Sequence, residues 1–375
     1  MEKIDPYKHK ERYDNWNKEK EIKGINSINK KILLKFINDM SLGLNISKGS
    51  KKGVRSFIRL NTLKTRLRFI FSELEKRKIK DIRKVNANQL HSLFEDMRAG
   101  VLKTRTGTPY KSVGDYIKVF KTFYHWYQKT SKEKIEDITE DLDTRGEKPK
   151  FVYFNEKDFN NIIKEAPADL KPILALCWDS GMRVTELMNV RVGDFSKEFK
   201  ELEIQEESSK TFGRKIKLMI CPTQIKKYVE FMELSSEDLI CKIHPQVINQ
   251  LLRAIGKKVL SKEQIKFKNL SLYDIRHSSA CFWLPRYKSE SALKYRFGWK
   301  KSDMIHYYTE FLGMKDTITK DDLYLDITKQ ELEKQVETQE KKLKQVQEDI
   351  QELKDSIIKD LEKRLKGTNF VLVKK

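Results

Sequence analysis

Three short stretches and one pair of tyrosines carry residue types suited to phosphoryl chemistry. In "DSGMRVTELMNVRVGDF", Gly181 closes one helix and Thr185, Glu186 and Leu187 open the next, which leaves Arg183 in the turn. In "SSKTFGRK", Lys210 stands at the mouth of a hairpin. In "LSLYDIRHSSACFWL", Arg276 lies near a helix start, with Asp274 before it and the N–H groups of that turn close by. Further along, "WKKSDMIHYYTE" offers two neighbouring phenols, Tyr307 and Tyr308. Each signal is weak alone. An arginine three residues before a glutamate is commonly a helix-surface pair, a hairpin lysine is commonly solvated, and a phenol at its usual pKa of about 10 is a poor nucleophile.

Together they meet the needs of attack on a phosphodiester. Two arginines grip the non-bridging oxygens with planar, paired donors and neutralise the charge of a pentavalent transition state. A lysine protonates the departing sugar oxygen, and a tyrosine stores the bond energy as a phosphoester. This set calls for no metal and no nucleotide, and the sequence offers no carboxylate cluster to bind a metal.

Composition points to the partner. Lysine and arginine number 77 against 55 aspartates and glutamates, a formal net charge of +22 over 375 residues. So large an excess calls for a polyanion: nucleic acid first, an anionic membrane surface as the weaker alternative. No apolar run reaches spanning length, and the opening "MEKIDPYKHKERYDNWNKEK" lacks the apolar stretch of a secretory signal, so the expected location is the cytoplasm. Cys177, Cys221, Cys241 and Cys281 are far apart with no C-x-x-C spacing, which fits reduced structural thiols and speaks against a zinc site.

The elements that would position these groups follow from periodicity. After a basic arm over 1–24, residues 25–140 read as a helical domain. There Leu60, Leu63, Leu67, Phe71 and Leu74 form one apolar helix face, and Val113, Tyr116, Phe120, Phe123 and Tyr127 another. Lys64, Arg66, Arg68, Lys118 and Lys121 occupy the remaining faces, either to follow a phosphate backbone or simply as solvated charge. Residues 141–151, with Gly146 and Pro149, read as a linker.

A second domain, 152–320, opens with the helices "NEKDFNNIIKEA" and "LKPILALCWDSG". One hairpin, "LEIQ" against "RKIKLMI", precedes a return to helix from about Gln246. From 321 to 375 the pattern changes again. Leu332, Val336, Leu343, Val346, Ile350, Leu353 and Ile357 recur at alternating threes and fours, with Gln339 at the polar seam position. That is a coiled-coil helix of about 50 Å at 1.5 Å per residue, pairing with a partner or with its own chain. The predicted fold class is mainly α with a small antiparallel sheet.

These stretches resemble the catalytic domain of the tyrosine recombinase (phage integrase) family. The first is similar to that family's G-x-R-x-x-E-L box, "YDIRHSSA" to its H-x-L-R-H-x-x-A box, and "FGWKKSDMIHYYTEF" to its L-G-H-x-x-x-x-T-x-x-Y box. The likeness spans almost all of the second domain. The N-terminal helices are similar in position and kind to the family's core-binding domain, and the "YRFGW" version looks most like integrases of archaeal mobile elements.

The resemblance implies roles residue by residue. Arg183 and Arg276 bind the scissile phosphate, and Lys210 is the general acid. Trp299 stands where the family uses histidine or tryptophan to buttress the phosphate, and its indole N–H can still donate. Glu186 fixes the first arginine box from behind. The family's nucleophile follows that histidine or tryptophan by nine residues, which selects Tyr308 and leaves Tyr307 as packing. One position departs from the family: its first histidine of the second box is Tyr273 here. A phenol can hydrogen bond to a phosphate oxygen, but it is neither a cation nor an effective base at neutral pH. His277 and His306 lie close in sequence, and for both a share in the site stands open beside a structural role.

The implied activity is site-specific recombination of double-stranded DNA. Tyr308 attacks a backbone phosphate, forms a 3′-phosphotyrosyl link and releases a 5′-hydroxyl, and the hydroxyl of a partner strand resolves the link. No cofactor takes part. Exchange between two duplexes needs four active sites, so the resemblance implies a homo-tetramer on its attachment or recombination sites. The alternatives are a type IB topoisomerase acting within one duplex, and a non-catalytic DNA-binding protein on a decayed recombinase fold with the coiled coil as its working part.

Overall fold

The computed structural model describes residues 3–47, 50–146, 150–266, 268–287 and 289–313, and, near the C-terminus, 336, 338–340, 342–351 and 354–355. The chain divides into two units, Met1–Tyr308 and Thr309–Lys375.

The first unit holds two hydrophobic cores. Around the first lie α1 (His9–Glu19), α2 (Ser27–Leu42), α3 (Phe57–Lys76), α4 (Ala87–Arg98) and α5 (Val113–Thr130). The apolar stripe of α3 is buried at Leu60, Leu63, Leu67, Phe71 and Leu74, as helical spacing requires. On α5, Val113, Phe120 and Phe123 are buried, while Tyr116 and Tyr127 are half-buried. Ile117, Tyr124 and Trp126 are buried with them, because α5 packs against both α3 and α4 and so presents a wider face than one stripe. Trp126 donates its indole N–H to Asp39 at 2.8 Å, which satisfies a donor that the core would otherwise strand.

The second core gathers α6 (Glu156–Glu165), α7 (Lys171–Ser180), α8 (Val184–Leu187), α9 (Pro222–Phe231), α10 (Pro245–Val259), α11 (Lys262–Ile265) and α12 (Leu272–Trp283). It is followed by α13 (Glu290–Phe297) and α14 (Asp303–Phe311). A hairpin of β1 (Glu201–Ile204) and β2 (Arg214–Lys217) pairs antiparallel, with Leu202 opposite Ile216 and Ile204 opposite Arg214. Alternation turns Leu202, Ile204, Ile216 and Arg214 inward. An arginine thus occupies a core-facing strand position, and the site below explains why. All four cysteines are buried and free.

Two further connections matter for the site. The Val152 N–H donates to Asp274 of α12 at 2.9 Å, which anchors the extended segment around Phe151 beside that helix. At the N-terminus, the Asn189 side chain pairs with the Ile4 backbone through bonds of 2.7 and 3.0 Å, and His244 meets the Pro6 carbonyl at 2.9 Å. Residues 4–6 therefore lie against the second core while α1, a few residues on, buries Tyr13 in the first.

In the second unit, the described residues 338–340, 342–351 and 354–355 are helical, and Leu343, Val346 and Ile350 are exposed. Leu332, Leu353 and Ile357 of the heptad seam lie outside the described residues.

Candidate active site

The site grows from two glycines. Gly181 ends α7 in the left-handed region (φ 61°), and a Cβ there would sit 2.2 Å from the Phe297 ring. Gly298 ends α13 in the same conformation, where a Cβ would lie 2.9 Å from Nη1 of Arg214 and 3.1 Å from Nη1 of Arg183. Only a residue without a side chain lets these chain segments and guanidinium groups approach so closely.

Arg183, the residue just before α8, donates its backbone N–H to Glu186 at 2.8 Å and Nη1 to the same carboxylate at 3.0 Å. Its Nη2 donates to the Gly298 carbonyl at 2.9 Å. Arg276, in the second turn of α12, donates to the carbonyls of Gly181 and of Phe297, the latter at 2.7 Å. Two arginines far apart in the chain are thus held by three carbonyls of the α7 and α13 ends. Burial and then the nearby Arg183 charge push the Arg276 guanidinium down to about 9, still charged at neutral pH.

Glu186 is fully buried, which by itself would favour its neutral form. Against that, Arg214 donates to both its oxygens, at 3.0 and 2.9 Å, and the net effect holds the carboxyl down to about 2. Sequence reasoning missed Arg214. The available signal was its place in the alternation of β2, where a charged residue turns inward. A charge at such a position needs a buried partner.

Lys210 lies on the loop between β1 and β2 and is exposed. Its neighbours on both sides are tied to the cluster: Ser209 donates to Glu186 at 3.1 Å and Thr211 to the Gly298 carbonyl at 2.9 Å. The loop is therefore fixed at the arginines while the ammonium keeps its reach.

Trp299 is buried between Phe297, stacked at 4.7 Å, and Tyr308, stacked at 5.6 Å. Tyr308 is only 1% exposed. Its hydroxyl meets Nδ1 of His277 at 2.5 Å. Burial raises the phenol pKa far above its usual value, partly opposed by the Arg276 charge. Burial, followed by Arg276 and Lys268, pushes the His277 imidazole down to about 3. The imidazole is therefore neutral, and in the tautomer that carries its proton on Nε2 the phenol donates to Nδ1. Tyr273 is 44% exposed, its ring 4.0 Å from that of His277 and under the Lys268 ammonium at 4.6 Å. His306 is exposed, and Tyr307 packs edge-on against Tyr308 at 5.2 Å.

Of the residues singled out in the sequence, Arg183, Glu186, Arg276, Trp299, Tyr308 and His277 form one connected cluster, with Tyr273 against its outer edge. Lys210 joins through its neighbours rather than through its own ammonium. The arrangement presents two fixed guanidinium groups, a buried phenol and a neutral imidazole, with no group of metal-ligating side chains among the described residues. A second concentration of charge lies on α3, where Lys64 sits over the Trp16 ring at 4.1 Å. Burial and then the Arg12 and Arg68 charges push that ammonium down to about 8.

No family model and no curated relative matches the sequence. Solved structures do. The chain is similar to the XerH site-specific recombinase bound to difH in a pre-cleavage complex, with 15% identity, TM-score 0.50, and coverage of 69% of this chain and 80% of that one. It is similar to a lambda integrase tetramer bound to a Holliday junction, with 14% identity, TM-score 0.56, and coverage of 77% and 79%. It is similar also to the Tn1549 transposon integrase in complex with transposon right-end DNA, with 14% identity, TM-score 0.53, and coverage of 78% and 95%. No described helix is long and apolar enough to cross a membrane. At these identities the likeness is one of architecture, and the chain has the mainly helical tyrosine recombinase fold with its small antiparallel sheet.

Proposed function

We propose that this chain is a site-specific recombinase that cuts and rejoins double-stranded DNA through a 3′-phosphotyrosyl link on Tyr308. The observation that carries the reading is the convergence of Arg183 and Arg276 on the carbonyls around Gly181 and Gly298, next to Trp299 stacked on Tyr308. Each guanidinium leaves donors over for the non-bridging oxygens of a phosphate. Lys210 on its anchored loop protonates the leaving 5′-oxygen, Trp299 donates its indole N–H, and Tyr273 contributes a hydroxyl at the exposed edge. Glu186 holds Arg183 in place. No metal or cofactor enters the step.

The partner is a DNA duplex, drawn in by a net charge of +22 and bound mainly through phosphates, so affinity falls steeply with salt. Because a lambda integrase with this architecture occurs as a tetramer on a Holliday junction, we take four protomers around two duplexes as the working assembly, with the C-terminal heptad helix assisting it. Tyr308 is covered in this structure, so engagement with DNA must uncover it.

The test is covalent trapping on a library of nicked duplexes whose cleaved fragment diffuses away. The wild type and Tyr307→Phe form a protein–DNA adduct stable to detergent, and Tyr308→Phe forms none. An inert wild type, or an adduct with Tyr308→Phe, overturns the assignment.

A further inference from the structure

The Tyr308 phenol must lose its proton to attack phosphorus, and Tyr273 at the exposed edge of the site is itself a phenol whose pKa is raised by burial and by Asp274. A different acceptor is already in contact. We propose that His277 takes the proton of Tyr308 during cleavage and returns it during rejoining, so that His277 is a catalytic residue of this site. The step rests on the recombinase reading above.

Geometry carries the proposal. Nδ1 of His277 lies 2.5 Å from the phenol oxygen, and the ring is only 3% exposed, so in this covered state no bulk water competes for the bond; the step requires DNA to uncover the phenol without parting it from His277. The ring is also held in orientation. Phe151 stacks on it at 4.7 Å and Tyr273 leans on it at 4.0 Å. Of the titratable groups around the imidazole, Arg276 and Tyr273 come from α12, Lys268 from the preceding loop, and Tyr308 from α14, with Tyr307 packed behind Tyr308. Burial first, and then the two cations, hold the imidazole unprotonated. A phosphodiester bound at Arg276 cancels part of that charge and makes the imidazole more basic when the proton has to move.

The step balances. The Tyr308 O–H proton passes to Nδ1, the phenol oxygen forms its bond to phosphorus, and the bond from phosphorus to the 5′-oxygen breaks. That oxygen leaves with a proton from Lys210. Rejoining runs each transfer backwards.

Single-turnover cleavage of the nicked duplex tests this, with Tyr308→Phe as the blank. His277→Gln should lose about 10²–10⁴-fold in rate, the usual worth of a positioned base, while keeping DNA affinity. Its remaining rate should rise in proportion to hydroxide, whereas the wild-type rate stays level between about pH 7 and 9 because the base is internal. A substrate with sulfur in place of the bridging 5′-oxygen needs no proton on leaving. It should restore Lys210→Ala and leave His277→Gln slow. An unchanged or faster His277→Gln, or its rescue by the sulfur substrate, refutes the proposal. So does a wild-type rate that itself climbs with hydroxide, a measurement that stands even where the variant fails to fold. An inert wild type removes the recombinase reading and this step with it; an active wild type beside an unaffected variant removes only the step.

Discussion

Replacing Arg214 by methionine should destabilise the protein by about 3–5 kcal/mol at neutral pH, the cost of stranding one member of a buried ion pair. The structure supplies a second route to the magnitude. Glu186 is held at about 2 against an ordinary 4.5, a difference worth about 3 kcal/mol at 1.36 kcal/mol per pH unit. The sign follows from the depressed value: this stability is complete above about pH 4.5 and is lost as pH falls through 2. In Arg214→Met the burial of Glu186 remains while its strongest partner is gone, so its carboxyl pKa climbs and protonation relieves the variant as pH falls. The gap between variant and wild type should therefore be widest near pH 7 and narrow toward pH 4.5. Urea unfolding followed by tryptophan fluorescence at the two pH values measures it. Adding Glu186→Gln to Arg214→Met should recover part of the loss at pH 7, since the buried carboxylate is gone, though Arg183 then loses its own carboxylate partner. A loss under about 1 kcal/mol at pH 7, or an equal loss at both pH values, would show that the pair does not hold Arg183 in place as argued.

Gly298→Ala places a Cβ 2.9 Å from Arg214 and 3.1 Å from Arg183 in a left-handed conformation that costs an ordinary residue roughly 1–2 kcal/mol. It should lower the melting temperature and slow covalent trapping at least about tenfold, equivalent to ~1.4 kcal/mol, while bulk DNA affinity holds; undiminished trapping would detach Gly298 from the site. Deleting residues 330–375 should reduce the mass of the protein–DNA assembly in light scattering, and an unchanged mass with unchanged trapping would deprive that segment of any part in assembly.

What the sequence made legible were the features set by local repetition. The α3 stripe follows from helical spacing, and the hairpin from two extended runs around a polar turn. Arg183 could be placed in its turn because Gly181 and the Thr185–Leu187 start bracket it. Arg214 and Gly298 were not legible, since their meaning lies in each other: the glycine matters only because a strand arginine more than eighty positions earlier points at it. His277 is a similar case. One turn from Tyr273 on α12, its periodicity says only that both share a face. Its burial depends on Phe151 arriving from the linker and on Tyr308 arriving from α14. Neither is a local property.

The kind of partner that holds each arginine separates the roles in a way residue type cannot. Arg296 is bound to the Asp179 carboxylate and Arg214 to both oxygens of Glu186, so each charge is cancelled where it stands. Arg276 is fixed by the carbonyls of Gly181 and Phe297. A carbonyl dipole orients a guanidinium without neutralising it. Arg183 lies between these cases, sharing Glu186 with Arg214 and leaning on the Gly298 carbonyl. One buried carboxylate thus faces three guanidinium groups, and the uncancelled charge is concentrated at Arg276, beside the phenol and the imidazole. An entering phosphodiester would settle that imbalance, and in doing so it would make the neighbouring imidazole a better base. Under the proposed reading, binding of a phosphodiester and deprotonation of Tyr308 would be coupled through a single electrostatic change, with Arg276 rather than Arg183 as the residue through which the coupling would pass.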